Sequence, residues 1–404
     1  MVGEGGVRRI RAAVLWAANT PLEVVDADLS PPRAGEVEVQ VVAAGVCGSD
    51  VHQLLGEYRL PLPCVPGHEG AGVVSRVGPG VGTLAPGDHV VLLWRSACGQ
   101  CAWCLDGRPA LCEHAVRIRS EGVMPDGTSR FAVGGRSVHH FIGVSCWSAY
   151  TVVPAAAAVR IDPEVPLDVA ALVGCAVVTG VGAAWNAAAL RPWQSAAVFG
   201  CGGVGLNVIQ GAALAGAYPI VAVDAQPAKE ALARQFGASH FVCVGQGGVG
   251  QGGAGQGGAD AARADAARAV AAGRRDEVAA AVVEITKGGA DAAFEVVGLP
   301  ALQETALAAT RRGGTTVLVG VAAAGARMTL DPEQLVQQEK TVRGCIYGSG
   351  RPDRDIPRIL RAFAEGRLQL GALMSRRYGL SEINRAVAAM RAGNLGRVVL
   401  DPAR

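Results

Sequence analysis

The sequence predicts an α/β protein with two domains, one rich in β-strands and one built on a doubly wound parallel sheet. Three observations support this fold class. The first part of the chain alternates apolar and polar residues at the two-residue period of strands. From about Val169 onward, apolar helical stretches alternate with short β runs, which is typical of parallel strands joined by helices. At 404 residues, the chain is long enough for two domains of ordinary size.

The strand-rich domain is assigned residues 1–178 and 346–404. Its clearest strand is EVEVQVVAAGV, from Glu36 to Val46, in which three valines at alternate positions fall on one face. Gly-Pro and Pro-Gly pairs mark turns between the strands that follow. The terminal GNLGRVVLDP predicts a last strand that rejoins this domain.

The parallel-sheet domain is assigned residues 179–345. The segments AAVFG and PIVAVDA are interpreted as buried strands, and ADAAFEVVG and TTVLVGV as later strands of the same sheet. An insertion at 246–273 repeats GQGG and then ADAAR. Its glycine-rich half is too flexible to pack, so we expect a surface insertion and infer no function for it.

Composition excludes several classes of protein. The chain is 50% hydrophobic and 18% charged, so it can bury a substantial core, and a net charge of +2 argues against nucleic-acid and membrane-surface binding. We expect no transmembrane helix and no signal peptide. The 11 cysteines are spaced for metal ligation rather than for disulfides, which indicates a reducing, cytoplasmic setting.

Cys47, His68 and Cys175 form a candidate catalytic metal set. Two sulfurs and one imidazole nitrogen leave the fourth position of a zinc tetrahedron open, which is how catalytic zinc differs from structural zinc. Taken singly, these residues also fit a glycine-rich loop with a buried cysteine and a core histidine. Their occurrence beside the two motifs below favours zinc.

A second metal signature lies in a lobe at about residues 95–115. Four cysteines follow the pattern C-x2-C-x2-C-x7-C, with Gly99 and Gly107 at the tight turns. One loop can thus supply four thiolates and close a tetrahedron around a structural zinc ion, which would hold a lobe with little core of its own. An iron–sulfur cluster and disulfides are the alternatives. The four are Cys98, Cys101, Cys104 and Cys112.

The segment GCGGVG, from Gly200 to Gly205, fits the G-x-G-x-x-G fingerprint of a Rossmann domain, because it follows a strand and opens a helix. Gly200 allows the turn, Gly202 lets the backbone approach a pyrophosphate, and Gly205 permits close helix packing. The helix N-terminus favours the phosphates. Asp224, at the end of the next strand, would bind the adenosine ribose and repel a 2′-phosphate, so NAD is favoured over NADP; alone, it also fits a solvated turn.

Together these motifs resemble the zinc-dependent medium-chain alcohol dehydrogenases, most of all the class III, glutathione-dependent formaldehyde dehydrogenase type. The most specific pieces are GVCGSDVH, GHEGAGVVSRVGPGV, the four-cysteine lobe, MPDGTSRF, GCAVVTGVGAA and FGCGGVG. The match covers nearly the whole chain apart from the insertion and the N-terminal extension. It implies a GroES-like catalytic domain split around a Rossmann NAD-binding domain, with two Zn²⁺ per chain, one catalytic and one structural.

The resemblance also assigns catalytic roles. Cys47, His68 and Cys175 become the ligands of the catalytic zinc, which acts as a Lewis acid on the alcohol. Glu69 lies beside the metal, and Asp50 orients His68 through its other ring nitrogen.

A proton relay is implied as well. Ser49 takes the position of the hydroxyl that receives the substrate proton, and His52 passes that proton to solvent, as suits a group that titrates near neutral pH. Without the resemblance, Ser49 would be interpreted as a loop cap and His52 as a surface histidine.

For the cofactor, the resemblance places Thr179 and Val204 beside the nicotinamide, Lys229 with Asp224 at the ribose, and Arg397 at the pyrophosphate. The full set of expected cofactor residues is Gly200, Gly202, Gly203, Val204, Gly205, Asp224, Lys229, Thr179, Val319, Val321 and Arg397.

The resemblance places Trp94, Phe141 and Ile142 in the substrate pocket, although plain core packing would also explain them. An apolar, aromatic pocket suits reversible oxidation of a primary or aromatic alcohol to an aldehyde, which is our main expectation. The alternative is a dehydrogenase of thiol–formaldehyde adducts. A catalytically idle zinc-binding scaffold is opposed by the intact ligand set. By analogy we expect a homodimer joined through edge strands of the nucleotide domains, acting on a small molecule.

Overall fold

The computed structural model describes residues 6–58, 60–244, 275–392 and 396–404, and the chain divides into two compact units. The first comprises Met1–Cys175, Arg351–Arg391 and Gly396–Arg404, and the second Ala176–Gly350 and Ala392–Leu395. The predicted insertion at 246–273 lies outside the described residues.

Eighteen strands are formed by the described residues. They are β1 (Arg8–Val14), β2 (Glu23–Leu29), β3 (Glu36–Val46), β4 (Cys64–Val65), β5 (Glu69–Val77), β6 (His89–Leu92), β7 (Phe131–Val133), β8 (Arg136–His140), β9 (Tyr150–Pro154), β10 (Ala158–Arg160), β11 (Ala196–Phe199), β12 (Ile220–Asp224), β13 (His240–Cys243), β14 (Ala290–Glu295), β15 (Thr310–Leu318), β16 (Thr341–Gly344), β17 (Met374–Gly379) and β18 (Arg397–Asp401).

The same part of the chain forms twelve α-helices. They are α1 (Gly48–Leu54), α2 (Ala102–Leu105), α3 (Glu113–Glu121), α4 (Leu167–Leu172), α5 (Val178–Gly182), α6 (Gly203–Leu214), α7 (Glu230–Gln235), α8 (Arg275–Ile285), α9 (Pro300–Ala309), α10 (Pro332–Gln337), α11 (Pro352–Ala364) and α12 (Ile383–Arg391). Two π-helical turns, Val173–Val177 and Ala183–Ala187, extend α4 and α5.

The first unit is built on two β-sheets. One has the strand order β1-β2-β7-β8-β4, and the other has the order β10-β6-β5-β3-β18-β17, with β9 also paired to β3. Strand β3 is central because it pairs with β5, β9 and β18, all antiparallel. Its alternating valines Val37, Val39 and Val41 are buried in the main core of this unit, as the two-residue period predicts.

The second unit contains one six-stranded sheet, in the order β13-β12-β11-β14-β15-β16. All five pairings in it are parallel. Counted from its first strand, this is the 3-2-1-4-5-6 order of the Rossmann fold. Strands β11 and β12 are buried along their full length, because helices cover both faces of such a sheet. The predicted α/β class, a β-rich GroES-like domain with a Rossmann domain, is confirmed.

Among the described residues, one helical run, Leu167–Ala187, is long and apolar enough to cross a membrane by length and composition alone. Of its most apolar window, 89% is buried inside the protein, which is typical of a core helix.

Candidate active site

The first turn of α1 carries the predicted catalytic residues. Strand β3 ends at Val46, and Cys47 stands at the helix N-cap with an extended backbone. The amide of Cys47 donates a hydrogen bond to Asp50 Oδ2 at 2.9 Å, which ties the loop to the helix. This bond satisfies a backbone N–H at the start of the helix, so the local sequence fixes the direction of the Cys47 side chain.

Asp50 and His68 form a buried pair. Asp50 Oδ1 lies 2.8 Å from His68 Nδ1, and both side chains are almost fully buried. Burial by itself would lower the pKa of His68, but the charge and hydrogen bond of Asp50 raise it well above its usual range. With Nδ1 engaged, Nε2 is the nitrogen left for a metal, which is the orienting role that the sequence predicted for Asp50.

Four metal-ligating side chains meet in the first unit. The ligand atoms of Cys47, His68, Glu69 and Cys175 all lie within 4.8 Å of one another, and all four residues are buried. His68 and Glu69 arrive at the start of β5, and Cys175 lies in the π-helical turn after α4. Two sulfurs and an imidazole nitrogen at this spacing fit the tetrahedral preference of zinc, with a position left for a further ligand.

The two thiols of this cluster interact with each other. Cys175 donates a hydrogen bond to Cys47 and, with the charges of Arg397 and His68, holds the pKa of Cys47 well below its usual range, although burial opposes this. The same bond, together with burial, raises the pKa of Cys175. Two buried thiolates would repel each other, so a divalent cation that binds both sulfurs removes the conflict. The donor set therefore fits a zinc ion.

Glu69 is the carboxyl member of the cluster. Burial raises its pKa to about 8, although the guanidinium of Arg397 acts in the opposite direction. Arg397 Nη2 lies 3.3 Å from Glu69 Oε1, yet neither carboxylate oxygen has hydrogen-bond geometry with any described residue. The structure thus places Arg397 beside Glu69 in the first unit, and its predicted contact with a pyrophosphate stays a prediction.

Ser49 and His52 both lie next to Tyr58. The Ser49 hydroxyl shares a hydrogen bond with the Tyr58 phenol, whose pKa is raised mainly by burial. The ring of His52 lies 5.4 Å from that of Tyr58, and His52 Nδ1 pairs with the Glu57 carboxylate. The predicted relay residues are therefore brought together around a tyrosine that the sequence analysis did not select.

Two of the predicted pocket residues contact the ligand histidine. Trp94 and Phe141 place their ring centroids 6.4 Å and 5.9 Å from that of His68, in edge-on arrangements. Ile142 follows Phe141 in a left-handed conformation with φ of 44° and is buried. The side of the cluster next to Trp94 and Phe141 is therefore apolar and aromatic.

The four-cysteine lobe forms a second cluster. The sulfurs of its cysteines lie within 4.8 Å of one another. Gly99 and Gly107 adopt φ of 75° and 72°, as expected at the two tight turns. Backbone N–H groups of Glu113 and Cys104 lower the pKa of Cys101 to about 6, which favours the thiolate that zinc binds. None of the 11 cysteines, all of which lie in the described part of the chain, forms a disulfide, so the structure does not support the disulfide alternative.

The glycine turn of the second unit has the predicted geometry. Gly200 adopts φ of 105°, which only glycine accepts readily. A Cβ on Gly205 would meet the Gly200 carbonyl oxygen at 1.8 Å, so the helix packs on the turn only because this residue is glycine. Gly202 caps α6, Gly203 begins it, and nothing lies within 4 Å of a Cβ on Gly202. That open space fits the approach of a pyrophosphate.

Asp224 ends β12 beside this turn. Its Oδ2 accepts hydrogen bonds from the Cys201 amide at 2.7 Å and from Lys229 Nζ at 3.1 Å, and its Oδ1 accepts one from the Gln226 amide at 3.0 Å. These bonds hold the Asp224 side chain at the carboxyl end of the sheet, and the predicted pair with Lys229 is present.

The remaining expected cofactor residues all lie in the second unit. Thr179 is buried in α5, and Val204 lies in the first turn of α6. Val319 follows β15 and donates its N–H to the Glu295 carbonyl at 2.8 Å, whereas the side chain of Val321 is 58% exposed. Their contacts with a nicotinamide stay predictions.

Comparisons with known proteins agree with this arrangement. Residues 33–163 match the family model described as alcohol dehydrogenase GroES-like domain, and residues 253–365 match the one described as zinc-binding dehydrogenase. The S-(hydroxymethyl)glutathione dehydrogenase of Paracoccus denitrificans is 37% identical over 97% of this chain and 99% of its own. The class-3 alcohol dehydrogenase of Cereibacter sphaeroides is 38% identical over the same shares.

Solved structures give the same answer. An alcohol dehydrogenase zinc-binding domain protein from Burkholderia ambifaria superposes with a TM-score of 0.88 and 35% identity, covering 98% of this chain and 99% of that one. The benzyl alcohol dehydrogenase of Acinetobacter calcoaceticus superposes with a TM-score of 0.86 and 30% identity, over the same shares of the two chains. Fold and site thus define a zinc-dependent oxidoreductase. The chain belongs to the zinc-dependent medium-chain alcohol dehydrogenase family, and its resemblance to the class III type is confirmed.

Proposed function

We propose that the protein oxidises the S-(hydroxymethyl) adduct of a thiol with formaldehyde, using NAD⁺. The adduct R–S–CH₂OH gives up a hydride to NAD⁺ and a proton to solvent, and the products are the thioester R–S–CHO, NADH and H⁺. The observation that carries this proposal is the near full-length similarity to two relatives with this activity or class in their names. It replaces simple alcohols, our main expectation from sequence, with the alternative.

Zinc held by Cys47, His68 and Cys175 would supply the Lewis acidity that makes the substrate hydroxyl acidic. Around that metal site, Asp50, Ser49 and His52 would each have a separate role. Asp50 holds the imidazole of His68 in one orientation through the 2.8 Å contact. Ser49 accepts the hydroxyl proton, within a network that includes Tyr58.

His52 would carry that proton onward. It lies on the same helix as Ser49, is only partly buried, and is paired with Glu57. An imidazole can accept a proton on one nitrogen and release one from the other, so it suits the outer end of a relay.

NAD⁺ is proposed over NADP⁺ because of Asp224. Its carboxylate is fixed by two backbone amides and Lys229. Ribose hydroxyls can donate to such a carboxylate, whereas a 2′-phosphate would be repelled by it. Comparing kcat/KM for NAD⁺ and NADP⁺ tests this, and a preference for NADP⁺ would contradict it.

The deciding experiment for the reaction is thiol dependence. NADH absorbance is followed with formaldehyde alone, with glutathione alone and with both, and again with a second thiol in place of glutathione. We expect turnover only when aldehyde and thiol are both present. Equal rates of NADH formation from a simple primary alcohol at the same concentration would contradict the proposal.

A primary or aromatic alcohol is the second candidate substrate. Trp94 and Phe141 line one side of the cluster, and one similar structure is that of a benzyl alcohol dehydrogenase. An aromatic ring can stack edge-on against such side chains. A kcat/KM for benzyl alcohol above that for the glutathione adduct would favour this candidate.

We also propose a homodimer in the cytoplasm. Strand β16 is an edge strand of the second unit's sheet, and an edge can pair with a second copy. The 11 cysteines form no disulfide, which suits a reducing compartment. Light scattering should give twice the 41.1 kDa chain mass, and a tetramer mass would contradict the dimer.

A further inference from the structure

Glu295 is a buried carboxyl in the second unit that no step of the proposed reaction uses. It is the last residue of β14, and its side chain is closed to solvent. Its Oε1 accepts hydrogen bonds from the backbone amides of Val297 at 2.8 Å, Gly298 at 2.8 Å and Leu299 at 3.4 Å. These bonds compensate the cost of burying the carboxyl, and they hold the loop 296–299 that joins β14 to α9.

The start of α9 is held by the same side chain. Gln303 Nε2 lies 3.5 Å from Glu295 Oε2, and Leu299 is the N-cap residue of α9. A negative group is favoured at the N-terminus of a helix, so the position suits a carboxylate. Burial raises the pKa of Glu295, and the three loop amides act in the opposite direction.

The loop 296–299 packs on the glycine turn. A Cβ on Gly200 would lie 2.5 Å from the Val297 side chain and 3.1 Å from that of Val296. The amide of Val296 also donates to the Phe199 carbonyl at 3.1 Å. The strand order of this sheet changes direction between β11 and β14, and dinucleotides bind in the crevice outside such a point. The loop therefore lies at the edge of the expected cofactor crevice.

The loop that follows β15 rests on the same residue. The backbone carbonyl of Glu295 accepts hydrogen bonds from the amides of Val319 at 2.8 Å and Gly320 at 2.9 Å. A Cβ on Gly298 would meet the Val321 carbonyl oxygen at 2.3 Å, and a Cβ on Gly320 would meet the Gly298 amide nitrogen at 2.1 Å. The loops after β14 and β15 are thus in backbone contact, so a shift of the first displaces the second.

We propose that Glu295 is a positioning residue that sets the loops after β14 and β15 against the nicotinamide half of NAD⁺, a proposal that rests on the cofactor given above. Asp224 is on the β12 side of the crevice, where it is proposed to bind the adenosine ribose. A dinucleotide that crosses the switch point from there extends toward β14 and β15. The glycine turn has support of its own, because the Gly200 amide donates to the Val223 carbonyl at 2.8 Å.

The test compares Glu295→Ala and Glu295→Gln with the control Thr310→Val, all in the full-length zinc-loaded enzyme. Thr310 begins β15, at the end of the strand opposite to the loop. Its buried hydroxyl donates to the Ala306 carbonyl at 2.8 Å and shares a second hydrogen bond with Thr316 at 2.8 Å. Valine therefore removes buried hydrogen bonds from the same sheet without touching either loop.

Binding is measured for NADH by fluorescence titration and for ADP-ribose, which lacks the nicotinamide, by competition. Glu295→Ala leaves three amides without their acceptor, so we expect the Kd of NADH to rise about 10- to 100-fold and that of ADP-ribose less than about threefold. The emission of bound NADH should move toward that of free NADH. Glu295→Gln keeps an acceptor, so its Kd for NADH should stay within about threefold of wild type.

A merely structural role for Glu295 predicts a different pattern. In that case Glu295→Ala lowers the Tm as Thr310→Val does, and it raises the Kd of NADH and of ADP-ribose by the same factor or leaves both unchanged. Either result would overturn the positioning role.

NADH binding needs no substrate, so this inference and the proposed reaction can fail separately. If thiol adducts are not oxidised but the two Kd values respond as expected, the proposed reaction fails and the role of Glu295 stands. If thiol adducts are oxidised and the Kd of NADH is unchanged in Glu295→Ala, the role of Glu295 fails alone.

Discussion

The two cysteine clusters of the first unit are held together in opposite ways. The ligands around Cys47 come from distant parts of the chain, are all buried, and sit on the main core of the unit. The four cysteines of the lobe fall between Cys98 and Cys112, and two of them are only partly buried. The lobe's own apolar cluster consists of cysteines and Ala115.

This difference indicates what a metal does at each place. At the first cluster, strand ends, the Asp50–His68 pair and a packed interior already bring the ligands within 4.8 Å. A zinc ion bound there would enter a site that the fold has already made, so it would contribute chemistry first and stability second. At the lobe, little apolar surface is buried, so a bound metal would itself supply much of the folding free energy.

The largest expected effect comes from Cys47→Ser. Zinc should fall from two ions per chain to one, and kcat/KM should drop by about 10³-fold or more, because the Lewis acid is lost. Zinc analysis and steady-state kinetics measure both, and the Tm should change far less than activity. Cys64→Ala is the control, since Cys64 is buried but lies outside both clusters. Full activity in Cys47→Ser would remove the distinction between the clusters.

The matching change in the lobe is Cys104→Ser. Zinc should again fall to one ion per chain, but here stability drops by several kcal/mol and Tm by about 10 °C. At 25 °C, kcat of the folded fraction should stay within about tenfold of wild type. Calorimetry with metal analysis tests this, and Cys243→Ser, at a thiol outside both clusters, is the control. An unchanged Tm with one zinc lost would show that the lobe folds without its metal.

A smaller effect is expected from Asp50→Asn. The amide removes the negative charge that holds His68, so zinc affinity at the first cluster should fall about 10- to 100-fold. Competition with a chromophoric chelator, run on the wild type and the variant side by side, measures the change. If the affinity were unchanged, the fold alone would orient His68, and the buried pair would have no role in the site.

How far the sequence predicted these sites depends on how locally each is encoded. The glycine turn and the four-cysteine lobe are encoded in continuous runs of six and fifteen residues. The structure forms the lobe's cysteine cluster, and it forms the parallel sheet to which the glycine turn belongs. Glycine positions and cysteine spacings impose geometry directly, so a sequence pattern suffices.

Other features become visible only after folding. Tyr58 belongs to no motif, and folding places its ring beside that of His52 and its phenol beside Ser49. The π-helical turn that carries Cys175 has no signal in VGCAV. The names of the relatives favour the alternative substrate over the alcohol expected from the apolar pocket residues. Apolar side chains accept many ligands, so they do not select a substrate by themselves.

The smallest effect that we predict concerns the interior that supports the first cluster. His140 ends β8, which pairs with β4, and its Nε2 accepts a hydrogen bond from the Arg130 amide at 3.1 Å. Burial, and then the charge of Arg130, lower the pKa of His140 to about 3. The neutral ring is therefore the folded form, whereas the unfolded ring binds a proton below about pH 6.5.

As the pH falls, the unfolded state takes up that proton before the folded state does. The contribution of His140 to the free energy of unfolding is therefore complete above pH 6.5 and is lost as the pH falls toward 3. The slope is about 1.4 kcal/mol per pH unit, so between pH 7 and 5 the wild type should lose about 2 kcal/mol from this residue. A glutamine keeps an acceptor for the Arg130 amide but does not titrate. Between pH 7 and 5, His140→Gln should therefore lose about 2 kcal/mol less unfolding free energy than the wild type. Urea unfolding of both proteins at the two pH values measures the difference, in which the pH dependence of zinc binding cancels. If both proteins lost the same unfolding free energy, the interior would tolerate a charged His140. Acid would then affect the first cluster only by protonating its ligands.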